Sequence, residues 1–308
     1  MSKTKLFNEK ITDWDSWSGI IESKEQPIMP LLKYIYEINN IKLENTAFVK
    51  YGFGGCSVYR AGDTIIKIFC PPEIKSPWGV LYSTELEGMK FCKNLGVLAP
   101  EIICNGTIHD GPYSFSYIVM NYIDGIRADK IIDGYSKSEK IDFALKVKEI
   151  ANKIHIPTDI NIPRYDDPCN INHELWNNMP KLFREDRKRY LSTVKLPELV
   201  YTHGDFGGGN IIIDKQGRLN LIDFAESLIA PYYFDGCASD DPVIMEAYYG
   251  DYKNDEFYEN QIISRLIGWF NPISIKWHAE ELGIDFASIT SVDKLRNMII
   301  KRINKGDS

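Results

Sequence analysis

Two aspartates and an asparagine stand close together in one short part of this chain. They fall in Tyr201-Thr-His-Gly-Asp-Phe-Gly-Gly-Gly-Asn210 and, just beyond, Leu221-Ile-Asp-Phe224. A carboxylate such as Asp205, placed beside an acceptor hydroxyl, would orient it and take its proton. Asn210 and Asp223 offer the hard oxygen atoms that magnesium prefers. Gly207, Gly208 and Gly209 would let the chain bend tightly enough for Asp205 and Asn210 to face one cleft. The strand-like runs 210–213 and 219–222, joined through Asp214-Lys-Gln-Gly217, read as a hairpin that delivers Asp223 beside Asn210. His203 is a second candidate catalytic base. Its alternative role is structural, hydrogen-bonding loop backbone so that Asp205 is held in place. Any one of these residues could be a capping group in a glycine-rich loop. Their joint order points instead to transfer of a phosphoryl group from a magnesium-bound nucleotide.

Such chemistry also needs a nucleotide-holding half, and candidates lie upstream, Lys67 and Glu85 by more than a hundred positions. Gly52-Phe-Gly-Gly-Cys-Ser57 falls between two β-rich runs, where Gly54 and Gly55 would let backbone N–H groups approach phosphate oxygens and Ser57 would add a hydroxyl. The plain alternative is a hairpin turn, and no Gly-Lys-Ser/Thr sequence follows as a Walker loop would require. Lys67 sits inside Ile65-Ile-Lys-Ile-Phe69, either pointing to solvent or held inward as a phosphate-binding cation. An inward lysine needs a carboxylate on the next helix. Glu85, four residues before Met89 and seven before Cys92, is on the better face, and Glu87 remains the alternative. The strand-like run 116–123 ends at Asp124-Gly125. Its Asn121 carbonyl and Ile123 N–H could pair with a purine edge, with Met120 lining the pocket.

These residues need elements to hold them. Runs 47–51, 57–60 and 64–69 read as an antiparallel meander, and 101–108 and 114–123 as further strands. Amphipathic spacing predicts helices over 12–40 (interrupted at Pro27 and Pro30), 84–95, 137–155, 173–193, 240–249, 255–282 and 291–304, with strands also at 199–202. The order gives an α+β fold in two lobes, a small antiparallel-sheet lobe over 1–120 and a larger, mainly helical lobe over 121–308. At 308 residues, 44% hydrophobic and 26% charged, the chain is long enough to bury a substantial core. A net charge of −7 excludes a general nucleic-acid binder and favours cationic partners. Six cysteines occur without any CxxC pair, which predicts neither a disulfide framework nor a zinc site. With no signal-like N-terminus and no membrane-length apolar run, a cytoplasmic protein without a membrane partner is expected, as a monomer or dimer.

His203-Gly-Asp-Phe-Gly-Gly-Gly-Asn210 together with Ile222-Asp-Phe224 resembles the signature of the aminoglycoside phosphotransferase family, relatives of the protein kinases. The order of parts fits over about residues 46–250. The spacing from Asp205 to Asn210 equals that of the protein-kinase catalytic loop, with Gly204 in place of its arginine. Asp223 is followed by Phe-Ala rather than Phe-Gly, and no Ala-Pro-Glu occurs, so a small-molecule acceptor is favoured over a protein. The resemblance implies a protein-kinase-like fold and ATP or GTP as co-substrate with Mg2+. It places Lys67 on the phosphates with Glu85 beside it, and the Asn121 and Ile123 backbone at the base. It makes Asp205 the catalytic base and puts Asn210 and Asp223 on the metal. Phe206-Gly207 after Asp205 is similar to the hygromycin-type branch.

The acceptor must sit near Asp205. Residues 235–259 hold eight carboxylates (Asp235, Asp240, Asp241, Glu246, Asp251, Asp255, Glu256, Glu259) against Lys253 alone. Such a stretch could form an acidic wall for a polyamine sugar, with Asp241 and Glu246 as the best-placed contacts, or be a solvated surface. Tyr232-Tyr-Phe234, Tyr248 and Tyr249 could stack on a sugar or quaternary amine, or be core. The leading expectation is an aminoglycoside O-phosphotransferase, conferring antibiotic resistance. A second is a kinase for choline, homoserine, a methylthio-sugar, a fructosamine or a macrolide. A third, a catalytically silent nucleotide-binding protein, has no chemical need to keep Lys67, Asp205, Asn210 and Asp223 together.

Overall fold

The structure is a computed structural model that describes residues 5–23, 26–43, 47–53, 56–76, 81–165, 171–195, 197–268 and 270–305. Its first half is built on five antiparallel strands: β1 (Val49–Phe53), β2 (Cys56–Ala61), β3 (Thr64–Phe69), β4 (Ile102–Asp110) and β5 (Tyr113–Asn121), ordered β1-β2-β3-β5-β4. The β2–β3 turn is closed by Gly62, whose φ of 59° is a positive value that suits glycine. Two helices cover one face of this sheet, α1 (Trp14–Glu22) and α2 (Met29–Ile38). A capping box between Asp13 and Ser16 starts α1, and Pro30 sits in the first turn of α2, where a missing N–H costs nothing.

Strand alternation then decides where Lys67 goes. Ile66 and Ile68 point into the cluster formed by Trp17, Leu31, Ile35 and Tyr36 of the two helices. Ile65 and Phe69, two residues to either side of Lys67, face the opposite cluster, packed against Leu86, Met89 and Cys92 of α3 (Leu81–Asn94). Both faces of the strand are covered, so a lysine on it has no solvent side to reach.

The second half is mainly helical: α4 (Lys137–Ile154), α5 (Lys181–Thr193), α6 (Pro242–Tyr249), α7 (Asp255–Ile267), α8 (Asn271–Glu281) and α9 (Val292–Lys305). Two small antiparallel sheets carry the loops that hold Asp205, Asn210 and Asp223. One has β6 (Gly125–Arg127), β8 (Ile211–Asp214) and β9 (Leu219–Leu221) in the order β6-β8-β9, and the other pairs β7 (Leu199–Thr202) with β10 (Leu228–Pro231). Two expected helices are broken. The run 173–193 is a 3-10 turn at Glu174–Asn178 followed by α5, with Pro180 at the break, and 255–282 divides into α7 and α8. Pro272 lacks the N–H that would continue the ladder. The Asn271 amide donates to the Ser264 carbonyl at 2.7 Å across the bend.

The halves are not separate cores. Ile65 and Phe69 of the large sheet belong to one cluster with Tyr201, Phe206, Leu221 and Phe224, and Leu221 N donates to Leu98 O at 2.8 Å. All five described cysteines are free thiols, and no described helix is long and apolar enough to cross a membrane.

Candidate active site

Lys67 is the centre of one side of the cleft. Its Nζ lies 2.8 Å from Glu85 Oε1 and 2.7 Å from Asp223 Oδ1. Of the two candidate glutamates, Glu85 therefore meets the lysine, while Glu87 lies at the surface with Lys90 at 2.9 Å. Burial alone would pull the Lys67 ammonium down, but the Asp223 and Glu85 carboxylates more than offset it and hold the amine protonated. Asp223 is held below its ordinary range, first by Lys67. Glu85, 1% exposed, is pushed up by burial to about 7 against the pull of Lys67. The ion pair to Asp223 crosses from the large sheet to the helical half, so it fixes the two across the cleft.

The loop that carries Asp205 and Asn210 hangs between β7 and β8. Gly208–Asn210 form a 3-10 turn, and the Asn210 amide donates to Asp205 Oδ2 at 2.7 Å and to the Asp205 carbonyl at 2.9 Å. Ile222 N donates to Asn210 O at 3.0 Å, extending the β8–β9 pairing so that Asp223 emerges beside Asn210. The Asp223 backbone has φ 64°, a left-handed conformation that aspartate tolerates better than most residues and that recurs at functional sites. Its side chain remains 48% exposed to the cleft.

Gly204 shows why the residue before Asp205 has no side chain. Its φ is 81°, and a Cβ there would lie 1.9 Å from the Glu226 carbonyl oxygen. The loop is then clamped by a residue that sequence reasoning placed elsewhere. The Asp235 side chain is fully buried, with Oδ2 accepting from His203 N at 2.8 Å and Oδ1 from Gly204 N at 2.9 Å. His155 Nε2 meets the same Oδ2 at 3.0 Å. No spacing rule joins residues 155, 203 and 235; only the fold does.

His203 is not a base in the cleft. It is completely buried between Phe206 and Phe224, with ring centroids 5.9 and 5.0 Å away, and Nε2 faces the Ile222 carbonyl at 3.1 Å. It braces the backbone just before Asp223. Ser57 is likewise fully buried, with its hydroxyl unpaired, and so does not offer a donor at the surface. Gly54 and Gly55 lie outside the described residues. Met120 is buried at the end of β5, the Asn121 side chain accepts from Glu101 N, and Ile123 follows where the chain passes between the halves.

The expected acidic wall does not form. Asp241 is the N-cap of α6, accepting from Val243 N at 2.9 Å, and its other oxygen binds Lys140 at 2.6 Å. Glu246 is exposed on α6 and lines neither chamber described below. Asp240 pairs with Arg302 at 3.2 Å, Glu259 pairs with Arg296, and Asp235 is the clamp. A carboxylate run in sequence is spread around a helix and its caps, so its charges point in different directions.

Two chambers adjoin the Asp205 loop instead. The larger, about 470 Å³, is lined by Asp205 and Glu226 together with Tyr165, Phe234, Phe270 and Trp277. The smaller, about 340 Å³, lies along Phe206 and Gly207 and is bordered by Asp240, Arg265 and Arg302. Glu226 is the acidic residue that the sequence reading missed. Partial desolvation first, then Asp205 and Asp223, push its carboxyl up to about 7, while one side of the residue stays open to solvent. Its position three residues after Asp223 was the available signal.

The oxygens present suit magnesium. Asn210 uses its amide nitrogen on Asp205, which leaves its carbonyl oxygen for a metal, and Asp223 presents a carboxylate to the cleft. Among the described residues no group of three or more His, Cys, Asp or Glu forms a metal cluster. Magnesium needs no such cluster, since it takes one or two protein carboxylates and completes its shell with phosphates and water.

No protein-family model and no curated protein matches the sequence. Solved structures do. The fold, a five-stranded sheet lobe set on a larger helical lobe, is the two-lobed protein-kinase-like fold of the aminoglycoside phosphotransferases and choline kinases. The wild-type aminoglycoside 2'-phosphotransferase-IIIa, solved with GDP, matches at TM-score 0.58 and 15% identity over 89% of this chain and 99% of that one. A choline/ethanolamine kinase family protein from Mesorhizobium loti matches at 0.53 and 18%, over 89% and 93%. Choline kinase LicA from Streptococcus pneumoniae matches at 0.53 and 18%, over 89% and 98%.

Proposed function

We propose that this protein is a magnesium-dependent phosphotransferase that moves the γ-phosphate of ATP or GTP to a hydroxyl of a small, amine-bearing molecule. The observation that carries the reading is the convergence of Lys67 and Glu85 on one side of the cleft with Asp223, Asn210 and Asp205 on the other, joined by the Lys67–Asp223 ion pair. Lys67, fixed by Glu85, binds and orients the phosphates. Asn210 and Asp223 would hold magnesium, which supplies charge neutralisation on the phosphate oxygens. Asp205, oriented by the Asn210 amide, accepts the proton of the acceptor hydroxyl at its carboxylate. Little base strength is needed, because the transition state is loose and the main task is alignment.

Aminoglycosides are the first acceptor class to test. A second class, small amino alcohols such as choline, is favoured by a specific observation: four aromatic side chains line the chamber that opens on Asp205, and aromatic faces attract ammonium groups. Nucleotide consumption with magnesium and either ATP or GTP, across aminoglycosides, choline and other amino alcohols, tests both. Asp205→Ala should lower turnover with the accepted substrate by about 10³-fold or more. Turnover at the wild-type rate in that variant would overturn the mechanism.

A further inference from the structure

The larger chamber holds charged side chains of both signs. Asp205 and Glu226 line one part of it, and Arg265 of α7 lines another and also borders the smaller chamber. Arg265 has no hydrogen-bond or ion-pair partner among the described residues, because the acidic side chains of this region are engaged elsewhere. Asp240 is bound to Arg302, Glu281 faces the same arginine at 3.7 Å, and Glu259 is bound to Arg296. Burial pulls the Arg265 guanidinium below its ordinary range and Arg302 adds to that, with Asp240 opposing. Arg265 is half-buried and opens on the chamber with no carboxylate in direct contact, and its planar fork is shaped for one. Glu226 is in the complementary position, a carboxylate with no partner among the described residues and with Asp205 and Asp223 as its charged neighbours.

We propose that the acceptor is a hydroxyl-bearing zwitterion, its ammonium group on Glu226, its carboxylate on Arg265 and its hydroxyl at Asp205. The aromatic side chains of Tyr165, Phe234, Phe270 and Trp277 cover the carbon skeleton between the two charges. The inference rests on the phosphotransferase reading and narrows it: an acceptor with ammonium groups alone leaves Arg265 unpaired and sets like charges against it.

Matched pairs that differ only in a carboxylate test this directly. Homoserine against 3-aminopropanol, and serine against ethanolamine, are titrated calorimetrically into the full chain with magnesium and a non-hydrolysable nucleotide. The zwitterion of at least one pair should bind about 10- to 100-fold more tightly than its partner. Arg265→Gln should erase that difference, Arg265→Lys should keep part of it, and Glu226→Gln should weaken both members. Because Arg265→Gln removes an unpaired charge, its melting temperature should equal or exceed that of the wild type, which separates lost recognition from lost folding. No carboxylate preference in any pair, a preference that survives Arg265→Gln, or tighter binding of choline or an aminoglycoside than of every zwitterion each overturns the inference. Nucleotide consumption in the same samples keeps the two readings apart. Turnover of a purely cationic acceptor that Asp205→Ala abolishes leaves the kinase standing and the zwitterion excluded. Carboxylate-selective binding without phosphoryl transfer does the reverse.

Discussion

Replacing Asp235 with alanine should damage both stability and rate, although its side chain is fully buried behind the loop. Its fully buried carboxylate accepts from His203 N at 2.8 Å and Gly204 N at 2.9 Å and faces His155 Nε2 at 3.0 Å. Truncation strands two backbone donors and an imidazole nitrogen inside the protein. At about 1–3 kcal/mol for each buried group left unsatisfied, partly relieved by entering water, the expected loss is about 3–5 kcal/mol. Asparagine keeps the shape and one acceptor oxygen but turns an amide N–H2 toward a donor, so Asp235→Asn should lose about 1–3 kcal/mol. The rate effect follows from position, since Gly204 immediately precedes Asp205. A displacement of about 1 Å at a positioned catalytic group costs about 10²-fold, and kcat of Asp235→Ala should fall by that factor with KM for nucleotide little changed. Urea unfolding curves fitted with a common slope give the stability term, and steady-state nucleotide consumption gives the rate. If Asp235→Ala unfolds at the wild-type urea midpoint and turns over at the wild-type rate, the clamp is not what holds the loop.

Three further outcomes follow from the same geometry. Lys67→Met should lower kcat by about 10²-fold or more and, by leaving Glu85 buried without its counter-charge, cost about 3–5 kcal/mol. Lys67→Met with Glu85→Met should recover much of the stability in urea titrations and none of the turnover, and equal unfolding midpoints for the single and double variants would contradict the pairing. Gly204→Ala should lose at least about 2 kcal/mol, since its backbone is left-handed and the added carbon would meet the Glu226 carbonyl; an unchanged melting temperature would refute it. The raised Glu226 carboxyl makes the folded protein bind more protons than the unfolded chain between pH 4.5 and about 7. Its contribution to stability is therefore full below 4.5 and is lost as pH rises through 7. Unfolding midpoints measured over that range without nucleotide or magnesium should decline less steeply in Glu226→Gln than in the wild type, and identical slopes would refute the assignment.

The elements were legible where the local pattern was strong. The alternation in 64–69, the helical spacing behind α3 and α4 and the turn at 214–217 all lie where they read in sequence. Helix ends near prolines were not, because a periodic apolar pattern persists through a break that only a missing N–H creates. The site divided along the same line. Asp205, Asn210 and Asp223 lie in one short stretch, joined by a tight loop and a hairpin whose geometry is local, so their meeting could be argued from spacing alone. Asp241 and Glu246 could not be judged that way, because a carboxylate beside a helix start is as ready to cap it as to bind a ligand.

By itself, then, the sequence determined the two-lobed order of elements and singled out Asp205, Asn210 and Asp223 as neighbours, since both are written in short-range spacing. Tertiary structure decided the rest. It turned Lys67 inward by covering both faces of its strand, and chose Glu85 over Glu87 by the side of α3 that packs. It converted His203 and Asp235 from candidate chemistry into the bracing of the loop. It also brought Glu226 and Arg265, far apart along the chain, to one chamber. Burial and counter-charge are properties of surroundings contributed by distant segments, and no reading of near neighbours along the chain contains them.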